Sequence, residues 1–326
     1  MGSLAGLFAM LCTLLLAPTA SAQQTAKTVT IGYLGNSNPS REASLLKAFR
    51  EGLRAHGYVE GRNLVITFQW ANGEQDRFDA LAKELVRQKV DVILTAGTPA
   101  ALAAKRVTTS IPIVSAVTGD PVAVGLVASL AKPGGNVTGL STMAPDLEAK
   151  RLELLKQALP KAVRVVALLN PANSFGLVSW KHVQPSAATL GIKLERIDAT
   201  GPNDLDRALA AVRAARPDAL IVIPDRFLLT YRAPILKFVT EQRMPGVFAY
   251  REFAEDGGLM AYGPDYTDLF RRAATYVDKI AKGARAGDLP IEQPNRFELV
   301  INMKTAKALG VTIPGPLLIR ADHVIE

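Results

Sequence analysis

The chain has 326 residues, 48% of them hydrophobic and 21% charged, and carries a net charge of +8. That balance excludes a disordered chain, and the length accommodates two lobes of ordinary domain size. The basic excess is scattered, no Lys/Arg run exceeds two residues (as at Arg271-Arg272), and aromatics are only 6%, so a solvated basic surface is expected and nucleic acid is not an expected partner.

Residues 1–22 read as a secretory signal. An apolar stretch from Leu4 to Leu16 leads to Ala20-Ser21-Ala22, which meets the small-x-small rule for cleavage before Gln23, although no Lys or Arg precedes the stretch. The expected location is therefore periplasmic. Cys12, the one cysteine, falls inside this segment, so the mature chain would have neither disulfides nor a thiol nucleophile. His56, His182 and His323 are far apart, without ligand-like spacing, and no metal site or cofactor is expected.

From Val29 a single grammar repeats: a β-branched run, a polar or glycine-containing turn, then an amphipathic stretch. The first run, Val29 to Leu34, closes on Gly35-Asn36-Ser37-Asn38. Ser40 is placed to cap the helix that follows, with Leu45, Leu46, Phe49 and Leu53 on one face and Gly57 as its stop. Leu64 to Trp70 is a second strand and Asp76 to Gln88 a second helix. Strands follow at Val90 to Leu94 and Ile111 to Val117, ending in Thr98-Pro99 and Gly119-Asp120-Pro121 turns. The grammar restarts with strands at Val163 to Leu169, Lys193 to Ile197, Ala219 to Ile223 and Val247 to Ala249. Continuous Val/Ile/Leu strands alternating with helices imply parallel sheets covered on both faces. Two such series mean two sheets or one large one, and the spacing of four strands within each half favours two Rossmann-like, doubly wound α/β lobes. A late helix from Asp265 to Lys282, a strand from Phe297 to Ile301 and a helix from Lys304 to Leu309 read as crossovers returning to the lobes, which makes the connection a multi-segment hinge. The expected division is 27–140 with about 264–290 for the first lobe, and about 141–263 with about 291–326 for the second.

In open parallel sheets ligands sit beyond the carboxyl ends of the strands, where helix N-termini present free N–H groups. The polar residues at those ends are Asn36, Ser37, Thr98 and Asp120 in the first half and Asn170, Asn173, Asp225 and Tyr250 in the second. Each has a plainer reading as a helix cap or turn residue. Thr98 with the N–H groups after Pro99, at Ala100 and Ala101, would suit a carboxylate, and Asp225 a cationic group. No G-x-S-x-G elbow, Ser/His/Asp set, P-loop or dinucleotide fingerprint occurs, so no catalytic residue is assigned and no enzyme is expected.

Particular strings then carry a resemblance. Gly57-Tyr58-Val59-Glu60-Gly61-Arg62-Asn63, Thr98-Pro99-Ala100-Ala101, Gly119-Asp120-Pro121-Val122, Lys132-Pro133-Gly134-Gly135-Asn136-Val137-Thr138-Gly139, Tyr262-Gly263-Pro264-Asp265 and Phe297 to Gly310 occur in that order. From about Thr28 to Ile325 the chain resembles the ABC-transporter substrate-binding family that includes tryptophan/tyrosine-type binding proteins. The resemblance implies a type I periplasmic-binding fold, a three-segment hinge, a small-molecule ligand in the cleft, and a membrane permease with its ATPase as partners of a monomeric binding protein. It points to Thr98, Pro99, Ala100, Asp120, Asn173, Asp225 and Asp265 as ligand contacts. Members with an aromatic amino-acid role read Thr-Asp-Pro and Asp-Asn where this chain has Gly119-Asp120-Pro121 and Asp225-Arg226, so another ligand is open, and Arg226 would suit a more acidic one. Two alternatives stay open: a periplasmic sensor reporting to a membrane receptor, and an exported α/β enzyme.

Overall fold

The computed structural model describes residues 28–142 and 145–326. The signal segment 1–22 and the cleavage position before Gln23 lie outside the described residues.

The first lobe is built in the expected rhythm. Strand β1 (Val29–Gly35) leads to helix α1 (Ala43–Ala55), β2 (Leu64–Trp70), α2 (Phe78–Arg87), β3 (Val92–Ala96), α3 (Thr98–Val107), β4 (Ile113–Thr118) and β5 (Val137–Ser141). These strands form one parallel five-stranded sheet, ordered β2-β1-β3-β4-β5. Side chains alternate across it: Ile31, Leu94 and Val114 pack with Phe49 and Leu53 of α1, while Ile93 and Ile113 pack with Leu85 of α2 and Ala104 of α3.

Three boundaries depart from the sequence reading. Ser40 does not cap α1: it lies in the preceding turn, where its hydroxyl and the N–H of Arg41 both bond the side chain of Asn38, and the helix begins two residues beyond that turn. The third strand starts at Val92 and the fourth at Ile113, each two residues late, because Asp91 binds back to the N–H of Thr30 and Pro112 has no N–H to give a ladder.

The second lobe follows with α4 (Pro145–Ala158), β6 (Arg164–Leu169), α5 (Ser174–Thr189), β7 (Lys193–Asp198), α6 (Pro202–Ala215), β8 (Ala219–Val222), α7 (Arg226–Thr230), α8 (Arg232–Glu241), β9 (Gly246–Phe248), α9 (Arg251–Glu255) and β10 (Met260–Pro264). Helix α10 (Tyr266–Ala281) then crosses to the first lobe. It lies against α1, where Gly52 allows the close approach because a Cβ there would overlap the carbonyl of Arg271. The chain returns as β11 (Phe297–Asn302), α11 (Met303–Leu309), α12 (Gly315–Ile319) and β12 (His323–Ile325). The second sheet has seven strands, ordered β12-β11-β10-β9-β8-β6-β7, and is parallel except where β11 meets β10.

The architecture is two α/β lobes of the type I periplasmic-binding kind, and it recurs in solved binding proteins too distant in sequence to bear on more than the fold. The chain leaves the first sheet after Ser141 and enters the second lobe with α4, and it passes between the sheets again at 264–265 and at 293–296. The last passage falls slightly later than 291 because Ile291 packs in the core of the first lobe and Glu292 pairs with Leu140. The second and third passages are tied by the bond from the Asp265 N–H to the carbonyl of Arg296, 3.1 Å. Among the described residues no helix is long and apolar enough to cross a membrane.

Candidate functional site

The carboxyl ends of both sheets face one another and line a small cavity of about 20 Å³. From the first lobe it is lined by Gly97 and Thr98 after β3, Val117 to Gly119 at the end of β4, and Tyr266 at the start of α10. From the second come Asn173 and Phe175 after β6, Asp225 and Arg226 after β8, and Tyr250 after β9. Two larger hollows, of about 400 and 530 Å³, open at the amino ends of second-lobe strands, beside Met244 and Leu259 and beside Ala162 and Asp218. The interlobe cavity, by contrast, is bordered by the loops that follow strand ends of both sheets, the position where open parallel sheets take ligands.

Of the residues singled out from the sequence, Thr98, Asn173, Asp225 and Tyr250 line this cavity. Thr98 is the first residue of α3, and its Oγ1 accepts from the N–H of Gly119 at 3.0 Å and contacts Thr118 Oγ1 at 3.3 Å. The hydroxyl thus fastens two strand ends together. Asn173 caps α5 by accepting from the N–H of Phe175, 3.1 Å, and turns its amide to Asp225, 2.9 Å. Tyr250 is buried with its ring 4.7 Å from that of Tyr266, and burial, reinforced by Tyr266, pushes its hydroxyl well above the usual pKa.

Asp225 is both helix cap and network centre. Its Oδ1 accepts from the N–H of Leu228 at 3.0 Å, and its Oδ2 from the side chains of Asn173 and Asn170 at 2.9 and 3.3 Å. Burial raises its pKa, against the opposing effect of these donors. With both oxygens already engaged, the carboxylate holds the second-lobe loops together and has little capacity left for a ligand cation.

The other candidates stand apart from the cavity wall. Asn170 supports Asp225 from behind. Asn36 reaches across the lobes to Thr230 Oγ1, 3.3 Å. Asp120 accepts from the N–H groups of Val122 and Ala123, which closes its own turn, and Asp265 caps α10 through the N–H of Asp268. Pro99, Ala100 and Ala101 lie inside the first turn of α3, and the expectation that Ala101 offers a free N–H is corrected: that group bonds the carbonyl of Gly97 at 3.2 Å. Gly97, not Thr98, precedes the helix, which moves the free donors one residue earlier.

A second space of about 400 Å³ adjoins the cavity through Arg226 and opens outward between Ser37 to Ser44 of the first lobe and Leu229, Thr230, Arg232 and Glu252 of the second. Here Glu42 is buried in the first turn of α1's approach, with Oε1 accepting from the N–H of Ser37, 2.8 Å, and Oε2 from Tyr33. Arg226 reaches it across the lobes, Nη2 to Oε1, 3.5 Å. Burial opposes the Arg226 charge, but Glu42, Tyr250, Tyr33 and Glu252 outweigh it and hold its pKa above the ordinary value.

Glu42, Phe175 and Tyr266 escaped the sequence reading. An acid at a helix start reads as a solvated residue, and an aromatic beside a strand end reads as core; nothing local marks either as an interlobe contact.

The family model described as ABC transporter substrate binding protein matches residues 37–325. The chain is 30% identical over 266 residues to a tyrosine-binding protein of Clostridioides difficile, covering 81% of this chain and 76% of that one. The structure of an ABC domain from Streptococcus pneumoniae in complex with L-Trp is similar at 27% identity and a TM-score of 0.86, covering 92% of this chain and all of that one. A ligand-free, open structure of a Clostridium difficile substrate-binding protein matches at 28% identity but a TM-score of 0.65, covering 91% and 99%. The chain belongs to the ABC transporter substrate-binding protein family.

Proposed function

We propose that this protein is the extracytoplasmic receptor of an ABC uptake transporter, which captures a small, polar, carboxylate-bearing or amino-acid-like solute between its lobes and delivers it to a membrane permease and its ATPase. The observation that carries this reading is the convergence of Thr98 and Gly119 from one lobe with Asp225, Arg226 and Tyr250 from the other around a single cavity. Relatives named for tyrosine binding and solved with L-Trp support the amino-acid-like class. In this reading the first lobe comprises 27–140 with about 264–292, the second about 141–263 with about 296–326, and the protein works as a periplasmic monomer cleaved before Gln23.

The three passages between the lobes serve as the hinge, and the solute shifts the population toward the closed form by its higher affinity for it. A thermal-shift screen of L-amino acids, simple carboxylates and their neutral analogues tests the reading, because a solute that binds the folded state raises its stability by RT ln(1 + [L]/Kd). At least one solute is expected to raise the melting temperature in proportion to the logarithm of its concentration. No response across all these classes would count against capture of a small solute. Intact mass of protein recovered from the cell envelope should begin at Gln23.

A further inference from the structure

Arg226 is 6% exposed, yet its Nε is buried without a hydrogen-bond partner. An arginine has five N–H donors and is never neutral in a folded protein, so burying it with donors unused is costly unless something else meets them. The acid nearest to it is committed elsewhere. Glu42 Oε1 takes the N–H of Ser37 and Oε2 takes the hydroxyl of Tyr33, and the approach to Arg226, at 3.5 Å, is made through Nη2 and lies at the limit of hydrogen-bonding distance. Glu42 therefore balances the charge of the guanidinium and leaves its buried Nε without an acceptor.

The position of Arg226 is fixed from the other lobe. Its stem lies on Gly97, where a Cβ would come 3.0 Å from Arg226 Cγ, and Gly97 precedes the N-terminus of α3. Thr98, the first residue of that helix, and Arg226 both line the interlobe cavity, whose other walls include Phe175, Tyr250 and Tyr266. A helix N-terminus and an under-used arginine both favour an anion, and arginine favours one with two oxygens in a plane.

We propose that Arg226 binds the anionic group of the captured solute, a carboxylate on a ring-bearing or similarly apolar body, and that it is the residue by which this protein selects acids over neutral analogues. The proposal rests on the reading of the cavity as a solute site. Asp225, with its oxygens taken by Leu228, Asn170 and Asn173, holds the loop that presents Arg226. The carboxylate is the shared chemistry of two solute classes, simple aromatic acids and aromatic amino acids. Glu252, whose Oε2 is buried without a partner and which acts on the charge of Arg226, would serve the ammonium of the second class.

The test is calorimetric titration of the wild-type protein, Arg226→Gln and Arg226→Lys with matched pairs: 4-hydroxyphenylpropionate and its primary amide, and L-tryptophan and L-tryptophanamide. At least one acid is expected to bind the wild type at least tenfold more tightly than its amide. Arg226→Gln should lower that acid's affinity by about 10- to 100-fold while leaving the amide unchanged, with Arg226→Lys in between. If Arg226 only clamps the lobes together, acid and amide weaken by the same factor, and the proposal falls. It falls equally if amides bind as tightly as acids or if neither acid binds. An amide or a neutral amino acid that binds and closes the lobes would leave the solute-receptor reading standing while this inference fails, whereas the absence of binding by every class in the thermal-shift screen would remove both.

Discussion

The ring of Phe175, on the second lobe, occupies the place where a side chain on Gly119 of the first lobe would stand: a Cβ at Gly119 would overlap Cγ and Cδ2 of the ring. The same relationship is found at Gly97 with Arg226 and at Gly73 with Tyr231. Bare backbone on one lobe meets large side chains on the other, so the lobes approach as closely as they do only because these positions lack a Cβ.

The first prediction follows directly. Gly119→Ala should leave each lobe folded, because the added methyl points at the other lobe and not into its own core, and should oppose the closed arrangement. Affinity for any solute that the protein binds should fall by at least about tenfold, the equivalent of about 1.4 kcal/mol. Small-angle scattering should show a larger radius of gyration than wild type at the same solute concentration. Unchanged affinity would mean that Phe175 yields without cost.

Asp225→Asn separates a structural carboxylate from a binding one. Asparagine keeps one acceptor, which can serve the N–H of Leu228 or the amides of Asn170 and Asn173 but not all of them. Its own amide would then face other amides. Stability in urea denaturation should fall by about 1–3 kcal/mol, even with no solute present. Wild-type stability would show that the network contributes little.

Glu148 and Arg151, one turn apart at the start of α4, are both fully buried and paired, and Arg151 Nε also donates to the carbonyl of Tyr262 at 2.7 Å, just before the second passage between lobes. Removing one partner leaves an uncompensated buried charge. Glu148→Leu should cost about 3–5 kcal/mol, and the double variant with Arg151→Met should recover much of that loss. Equal destabilisation in the single and double variants would refute the pairing argument.

Asp218 binds the N–H groups of Val163 and Arg164, each at 2.8 Å, and these hold its carboxyl below the usual pKa. A depressed carboxylate contributes stability that is present above its unfolded pKa of about 3.9 and is lost as pH falls through the lower, folded value. Asp218→Ala should therefore melt at a lower temperature than wild type at pH 7, with the gap narrowing below about pH 4. A gap independent of pH would show that the aspartate acts by packing alone.

How far the sequence disclosed this molecule depended on where each interaction lay. Val29–Gly35 and Arg164–Leu169 announce themselves because a parallel strand buried on both faces is largely apolar. Asp265 announces α10 because a cap is a local bond, three residues long. Val137–Ser141 and Met260–Pro264 contain glycine or proline and are strands because of their neighbours in the sheet, which no local pattern encodes. The same holds at the cavity. Thr98, Asn173, Asp225 and Tyr250 could be placed because strand ends are predictable. Glu42 and Phe175 could not, since their partners Arg226 and Gly119 lie on the opposite lobe. Ala100 and Ala101 were favoured because a helix start offers free N–H groups, but that start is set by Gly97, one residue earlier, at a positive φ of 99° that suits glycine.

The central claim, that the lobes close on a small solute, is tested most directly by small-angle scattering of the purified protein with and without each solute that raises its melting temperature. The account predicts a smaller radius of gyration at saturation, reversed on dialysis and diminished in Gly119→Ala. A profile unchanged by a solute that calorimetry shows to be bound would contradict it.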